Sequence, residues 1–195
     1  MTARRLSLLA AVVAAVVALS VMVLSLIPFG DEKGAGVALI GGPYELVDQT
    51  GRVVTEQTDA GKLRLIYFGY TYCPDVCPTE LSVMSQALDL LGEDAAEVQP
   101  IFITIDPQRD TPAQMAEYVQ HFYPSMLGLT GSPEQVAAAA KTYRVYYAKG
   151  PGDDEDYLMD HSSFIYVMGR DGSYLAHFGP NTAPETMAEQ LRKLL

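Results

Sequence analysis

The spacing of apolar residues divides the chain. From position 6 to 27 every residue is apolar except Ser7, Ser20 and Ser25. The run covers 22 residues, about 33 Å as a helix against a bilayer core of roughly 30 Å. It is longer than the apolar region of a secretory signal, and Pro28-Phe29-Gly30 offers no obvious cleavage site. The pattern predicts an uncleaved single-pass membrane anchor over 1–28. Arg4 and Arg5 precede it, which keeps the N-terminus in the cytoplasm and places everything after Ile27 on the far side. A glycine-rich stretch, 29–42, reads as a flexible tether. The remaining 43–195 is one domain's worth of chain.

Within that domain the periods alternate between strand and helix. Apolar residues on either side of Asp48-Gln49-Thr50-Gly51 predict a hairpin over 44–55. Positions 62–69 form a near-continuous apolar run fit for a buried central strand. Leu81, Met84, Leu88 and Leu91 recur at helical spacing over 78–91. A second buried strand covers 99–105 and ends at Asp106-Pro107. Thr111-Pro112 caps and starts a helix to about Tyr123. A short strand over 127–130 follows, and Ser132-Pro133-Glu134 opens a helix through the alanine run 137–140. Positions 150–156 read as an acidic loop. Strands over 163–168 and 174–178 flank the turn Gly169-Arg170-Asp171-Gly172, and 183–195 closes the chain as a helix. Strands alternating with helices, then a hairpin and a terminal helix, predict an α/β thioredoxin-like fold with an N-terminal β-hairpin, preceded by the transmembrane helix.

Charge narrows the partners. Setting Arg4 and Arg5 aside leaves 11 basic residues against 24 acids, a balance of −13. Such a domain repels nucleic acid and anionic lipid. Ordinary solubility accounts for the excess, as would a partner with a basic face.

Cys73 and Cys77 are the only cysteines. They follow the turn at Gly69, at the carboxyl end of the first long strand, where α/β sheets collect their chemistry. With Pro78 in the first helical turn, Cys77 lies at the helix mouth, where unpaired N–H groups and the helix dipole favour a thiolate. The four-residue spacing puts both sulfurs on one side of a helical turn, roughly 5–6 Å apart at Cβ. That is near enough to share a metal ion and, with relaxation, to form a disulfide. A disulfide closing so short a loop removes little chain entropy, so it is a poor staple for a domain of this size. The pair therefore points to redox or metal chemistry rather than to packing thiols.

Three histidines are available. His121 falls in a predicted helix among Tyr118, Phe122 and Tyr123, and reads as a surface or packing residue. His177 lies in the last strand and nothing marks it as a ligand. His161 stands in Asp160-His161-Ser162-Ser163, just before an apolar strand, where a loop would hang over the cysteine turn. Position alone leaves open whether it is a ligand or a strand-entry residue. Asp160 is placed to orient its ring. Two thiolates and one imidazole suit copper, Cu(I) especially. Structural zinc wants four protein ligands, whereas a catalytic zinc with water as its fourth ligand stays open.

Gly69-Tyr70-Thr71-Tyr72-Cys73-Pro74-Asp75-Val76-Cys77-Pro78 closely resembles the signature of the Sco/SenC family of membrane-anchored copper proteins. Thr104-Ile105-Asp106-Pro107-Gln108-Arg109-Asp110-Thr111-Pro112 and Asp160-His161-Ser162-Ser163-Phe164-Ile165-Tyr166 resemble that family's second and third blocks. The resemblance implies a thioredoxin-like domain holding one copper ion, Cu(I) or Cu(II), through Cys73, Cys77 and His161. It implies an assembly factor, rather than an enzyme, for the binuclear copper (CuA) site in subunit II of cytochrome c oxidase or a related copper oxidase. Its setting would be the bacterial cytoplasmic membrane, with the domain facing the periplasm or cell exterior. A thiol–disulfide oxidoreductase that keeps the target cysteines reduced is the alternative. Either role requires a periplasmic thiol reductant to keep Cys73 and Cys77 competent. Asp106 and Arg109 fall in the second block, and are read as structural or partner-facing.

Overall fold

In the computed structural model, residues 40–58, 60–152 and 156–195 are described. The expected anchor over 1–28, nearly all of the tether and the acids Asp153, Asp154 and Glu155 lie outside them. Among the described residues no helix is long and apolar enough to cross a membrane.

The central strand β3 (Leu63–Gly69) is buried at every position. A strand covered on both faces favours apolar residues at nearly every position, which is why its sequence runs without alternation, and its one charged residue, Arg64, is bonded to the Glu56 and Gly169 carbonyls. It pairs in parallel with β4 (Val98–Thr104), from Leu63 opposite Val98 to Gly69 opposite Thr104. On its other side β8 (Ile165–Met168) runs antiparallel, followed by β9 (Tyr174–Phe178). The N-terminal hairpin β1 (Glu45–Asp48) and β2 (Val53–Thr55) joins through β5 (Leu127–Thr130). The sheet order is β2-β1-β5-β4-β3-β8-β9.

The described residues also hold four α-helices: α1 (Val76–Leu91), α2 (Pro112–Val119), α3 (Pro133–Thr142) and α4 (Pro184–Arg192). α1 packs with α4, α2 with β5, and α3 with β1. Leu81, Met84, Leu88 and Leu91 form the buried stripe of α1 as their spacing required. Ser132 caps α3 in a reciprocal capping box with Gln135, which satisfies two otherwise orphaned donors. The mixed sheet with the hairpin at its edge is the layout expected of a thioredoxin-like domain.

Three local expectations change. The predicted helix running to Tyr123 stops at Val119, because His121 and Phe122 turn back onto the carbonyls of Tyr118 and Val119 and Pro124 disfavours helix just before it. His121 is therefore an exposed turn residue. The helix after the cysteines begins at Val76 rather than Pro78. Most importantly, positions 150–152, expected within a loop over 150–156, belong to a strand, β6 (Tyr147–Gly152), which forms a second hairpin with β7 (Tyr157–His161). Its register runs from Tyr147 opposite His161 to Gly152 opposite Tyr157, with an irregularity between Lys149 and Gly152. Gly150, Pro151 and Gly152 hide the strand from any pattern reading.

Candidate metal centre

Gly69 ends β3, and the chain turns through Tyr70–Cys73, with the Cys73 N–H on the Tyr70 carbonyl at 3.2 Å. The sharp exit brings Cys77 under the strand end. A Cβ on Gly69 would lie 2.8 Å from the Cys77 sulfur and 2.9 Å from the Phe102 ring, so only glycine fits.

Only Cys77 is helical. Cys73 lies in the preceding loop, which corrects the expectation that both sulfurs sit on one helical turn. Asp75, at the helix N-cap, makes no side-chain cap. Instead the Cys77 N–H points at the Cys73 sulfur, 3.4 Å away, so a sulfur stands where a serine or aspartate oxygen usually does. The helix mouth thus favours a thiolate on Cys73, not on Cys77. The Cys77 thiol lowers Cys73 to about 4 against the opposing effect of burial, with His161 and the N–H groups of Asp75 and Cys77 assisting. The same hydrogen bond, with burial and the Cys73 charge, pushes Cys77 well above the ordinary thiol range. Both cysteines are buried and reduced.

His161 arrives as the last residue of β7, on a strand rather than the expected loop. Its Nε2 lies 3.5 Å from the Cys77 sulfur, and its Nδ1 lies 3.0 Å from the Ser162 carbonyl. Asp160 was expected to orient the ring. It is exposed, and successive residues of a strand point to opposite faces, so the Ser162 carbonyl holds that place. The rings of Tyr67 and Tyr70 pack edge-on to the imidazole at 6.2 and 6.0 Å, and the Tyr67 hydroxyl reaches the Cys77 sulfur at 3.9 Å. His177 is exposed, against Tyr174 and Phe164.

The donor atoms of Cys73, Cys77 and His161 all lie within 4.8 Å of one another. Bonds of about 2.0–2.3 Å, as at zinc–sulfur and zinc–nitrogen sites, bridge donors up to about 4.6 Å apart. One ion therefore reaches all three after a shift of a few tenths of an ångström. The two sulfurs and one nitrogen are soft and few, which fits copper.

The second sequence block holds this arrangement in place. Asp110 is fully buried and receives the Thr71 N–H at 3.0 Å, the Thr71 hydroxyl at 2.6 Å and the Thr104 hydroxyl at 2.6 Å. It ties the cysteine loop to the end of β4. Asp106 binds the Arg109 guanidinium at 2.5 Å and accepts from the Tyr157 hydroxyl at 2.7 Å. Arg109 also donates to the Tyr157 carbonyl at 3.0 Å and stacks on that ring, 3.6 Å from its centroid. Asp106 and Arg109 thus latch the start of β7 to the sheet, the structural of their two expected roles. Sequence reasoning missed Asp110 and Tyr157 as supports of the site. The signal for Asp110 was a second acid just past a buried strand end, between two threonines of the motif blocks.

Fold and site together define a thioredoxin-like α/β protein with a soft, three-donor metal site at the carboxyl end of its central strand. Residues 32–195 match the SCO1/SenC family, and the chain belongs to it. An SCO2-like protein of Rickettsia conorii is 45% identical over 155 residues, covering 78% of this chain and 76% of that protein. The human mitochondrial SCO1 homolog is 46% identical over 153 residues, covering 77% of this chain and 51% of that protein. The structure of Bradyrhizobium japonicum ScoI with copper bound matches at 48% identity with a TM-score of 0.75, covering 80% of this chain and 99% of that one.

Proposed function

We propose that this chain is a copper metallochaperone that binds one copper ion through Cys73, Cys77 and His161. The observation that carries the reading is the convergence of these three donors within 4.8 Å. Copper is the cargo here. Cys73 is the more readily ionised of the two, so Cu(I) uptake has chiefly to displace the proton of Cys77 and leaves each sulfur with a metal bond. The copper bound by the ScoI relative supports the choice of metal.

The recipient in this reading is the CuA site in subunit II of cytochrome c oxidase, or of a related copper oxidase, as membership of the family supports. Arg4 and Arg5 ahead of the apolar run support a single-pass anchor in the cytoplasmic membrane, with the domain outside the cytoplasm. In that oxidising compartment a thiol reductant returns Cys73 and Cys77 to the dithiol.

One observation favours a second reading. A depressed Cys73 beside a protonated Cys77 is the pairing a thiol–disulfide oxidoreductase uses, since the thiolate attacks. Metal analysis and copper titration of the parent and of His161→Ala separate the two. The carrier reading expects one copper per chain in the parent and a large loss in His161→Ala, greater for Cu(II). Dithiol–disulfide cycling should persist in that variant. A His161→Ala chain that binds both oxidation states like the parent refutes the ligand set. One that binds none yet fully supports oxidase assembly in cells favours the reductase.

A further inference from the structure

We propose that Met159 is a transit ligand, whose thioether takes the position at Cu(I) that His161 gives up when the ion is handed on. The proposal rests on the copper reading above. It starts from strand alternation on β7: Tyr157, Met159 and His161 share one face, while Leu158 and Asp160 are exposed on the other. That inner face covers three things in order. Tyr157 sits on the Asp106–Arg109 latch, Met159 lines a cavity, and His161 reaches the cysteines.

The Met159 backbone is tied to a wall of the site. Its N–H donates to the Tyr70 hydroxyl at 3.1 Å, and the Tyr70 ring packs edge-on to the His161 imidazole at 6.0 Å. Tyr70 follows β3 directly and precedes Cys73 by one loop, so one side chain ties Met159 to both walls of the site. Alternate residues of a strand are about 6.6–6.8 Å apart along the chain. A methionine has three rotatable bonds and spans much of that distance. Its side chain is only partly buried, beside a cavity of about 230 Å³ walled by Ile105, Pro107, Tyr147 and Tyr157. The free volume gives the thioether room to swing.

The chemistry is matched to the ion. A thioether is a soft, neutral donor that suits Cu(I) and binds Cu(II) or zinc poorly. In the exchange one Cu–S(thioether) bond forms as one Cu–N(imidazole) bond breaks, with no electron transferred and no proton released. Cys73 and Cys77 keep their bonds throughout. Copper is then held by three sulfurs while His161 is free, which avoids a two-coordinate intermediate and speeds exchange without adding much to resting affinity.

The test uses the full chain with ¹³C-methyl methionine, the Met159 methyl being assigned by its loss in Met159→Leu or, should that variant misfold, Met159→Gln. Cu(I) is added to one equivalent, and its transfer to a Cu(I) chelator such as bicinchoninate is then timed. The expected results are a Met159 methyl that shifts or broadens on Cu(I) addition, and transfer at least 5-fold slower in the variant with Cu(I) affinity changed less than about 3-fold. A Met159 methyl that stays in place, or a variant that transfers copper at the parent's rate, overturns the proposal while leaving the carrier reading intact. A parent chain that takes up no Cu(I) overturns both.

Discussion

Asp110 offers the most direct measurement of what holds the cysteine loop. Its carboxylate collects a fixed backbone donor, the Thr71 N–H, and two hydroxyls, from Thr71 and Thr104, at 2.6–3.0 Å in a fully buried position. In Asp110→Ala the hydroxyls re-aim by rotation, and Thr104 keeps the Asp106 N–H it already accepts at 2.8 Å. The Thr71 N–H has no such freedom. A stranded buried donor costs about 1–3 kcal/mol, and a hydrogen bond to a charged group contributes about 1.5–3 kcal/mol. Since the two figures overlap in part, the expected net loss is about 2–4 kcal/mol. Asp110→Asn keeps the volume and one accepting oxygen, so it should lose roughly half as much. Urea unfolding followed by tyrosine fluorescence reads the difference, the chain having 12 tyrosines and no tryptophan. Because the carboxylate ties Thr71 to the end of β4, the variant should also expose Cys73 to thiol reagents under native conditions. An Asp110→Ala chain within about 0.5 kcal/mol of the parent, with Cys73 no more reactive, would show that the loop is held by something else.

Gly69→Ala should cost about 1–3 kcal/mol and weaken copper binding, since the new carbon would press on the Cys77 sulfur and the Phe102 ring at 2.8–2.9 Å; a parental unfolding midpoint refutes this. In the metal-free protein, alkylation of Cys73 by iodoacetamide should be nearly independent of pH from about 5 to 8. The reason is a thiol held at about 4, so a rate that climbs tenfold per pH unit across that window would place the thiolate elsewhere. Burial alone would raise Asp48, but hydrogen bonds from Thr50 and Arg52 overcome it and bring the carboxyl to about 2. A folded-state value below the unfolded one means that the folded chain binds fewer protons between them, so this contribution is present above about pH 4 and lost as pH falls through about 2. Asp48→Asn should accordingly be less stable than the parent at pH 7 and converge with it near pH 2, and a constant gap across that range counts against the argument.

What could be read from the sequence follows from where the determining forces act. β3 and β4 were legible because burial on both faces favours largely apolar runs, broken here only by Arg64 in β3 and by Gln99 and Thr104 in β4. The α3 start was legible because its capping box is local, as was the hairpin turn at Gly169–Gly172, where Gly172 takes φ +86°. Cys73, Cys77 and His161 were found through residue type and motif, and the structure brings all three together. The second hairpin was not legible. Its β6 contains Gly150, Pro151 and Gly152, and the contacts that hold β7 down run from Tyr157 to Asp106 and Arg109, about fifty positions away. That omission carried two others with it. Without β7 as a strand, alternation could not separate Asp160 from His161, nor place Met159 on the inner face. The assignment of the thiolate failed for a different reason. Helix-mouth logic correctly located the field that stabilises negative charge, but a helix N-terminus acts on whatever lies in front of its free N–H groups. In this loop the atom lying there is the Cys73 sulfur, which only the three-dimensional path from Gly69 to Val76 decides.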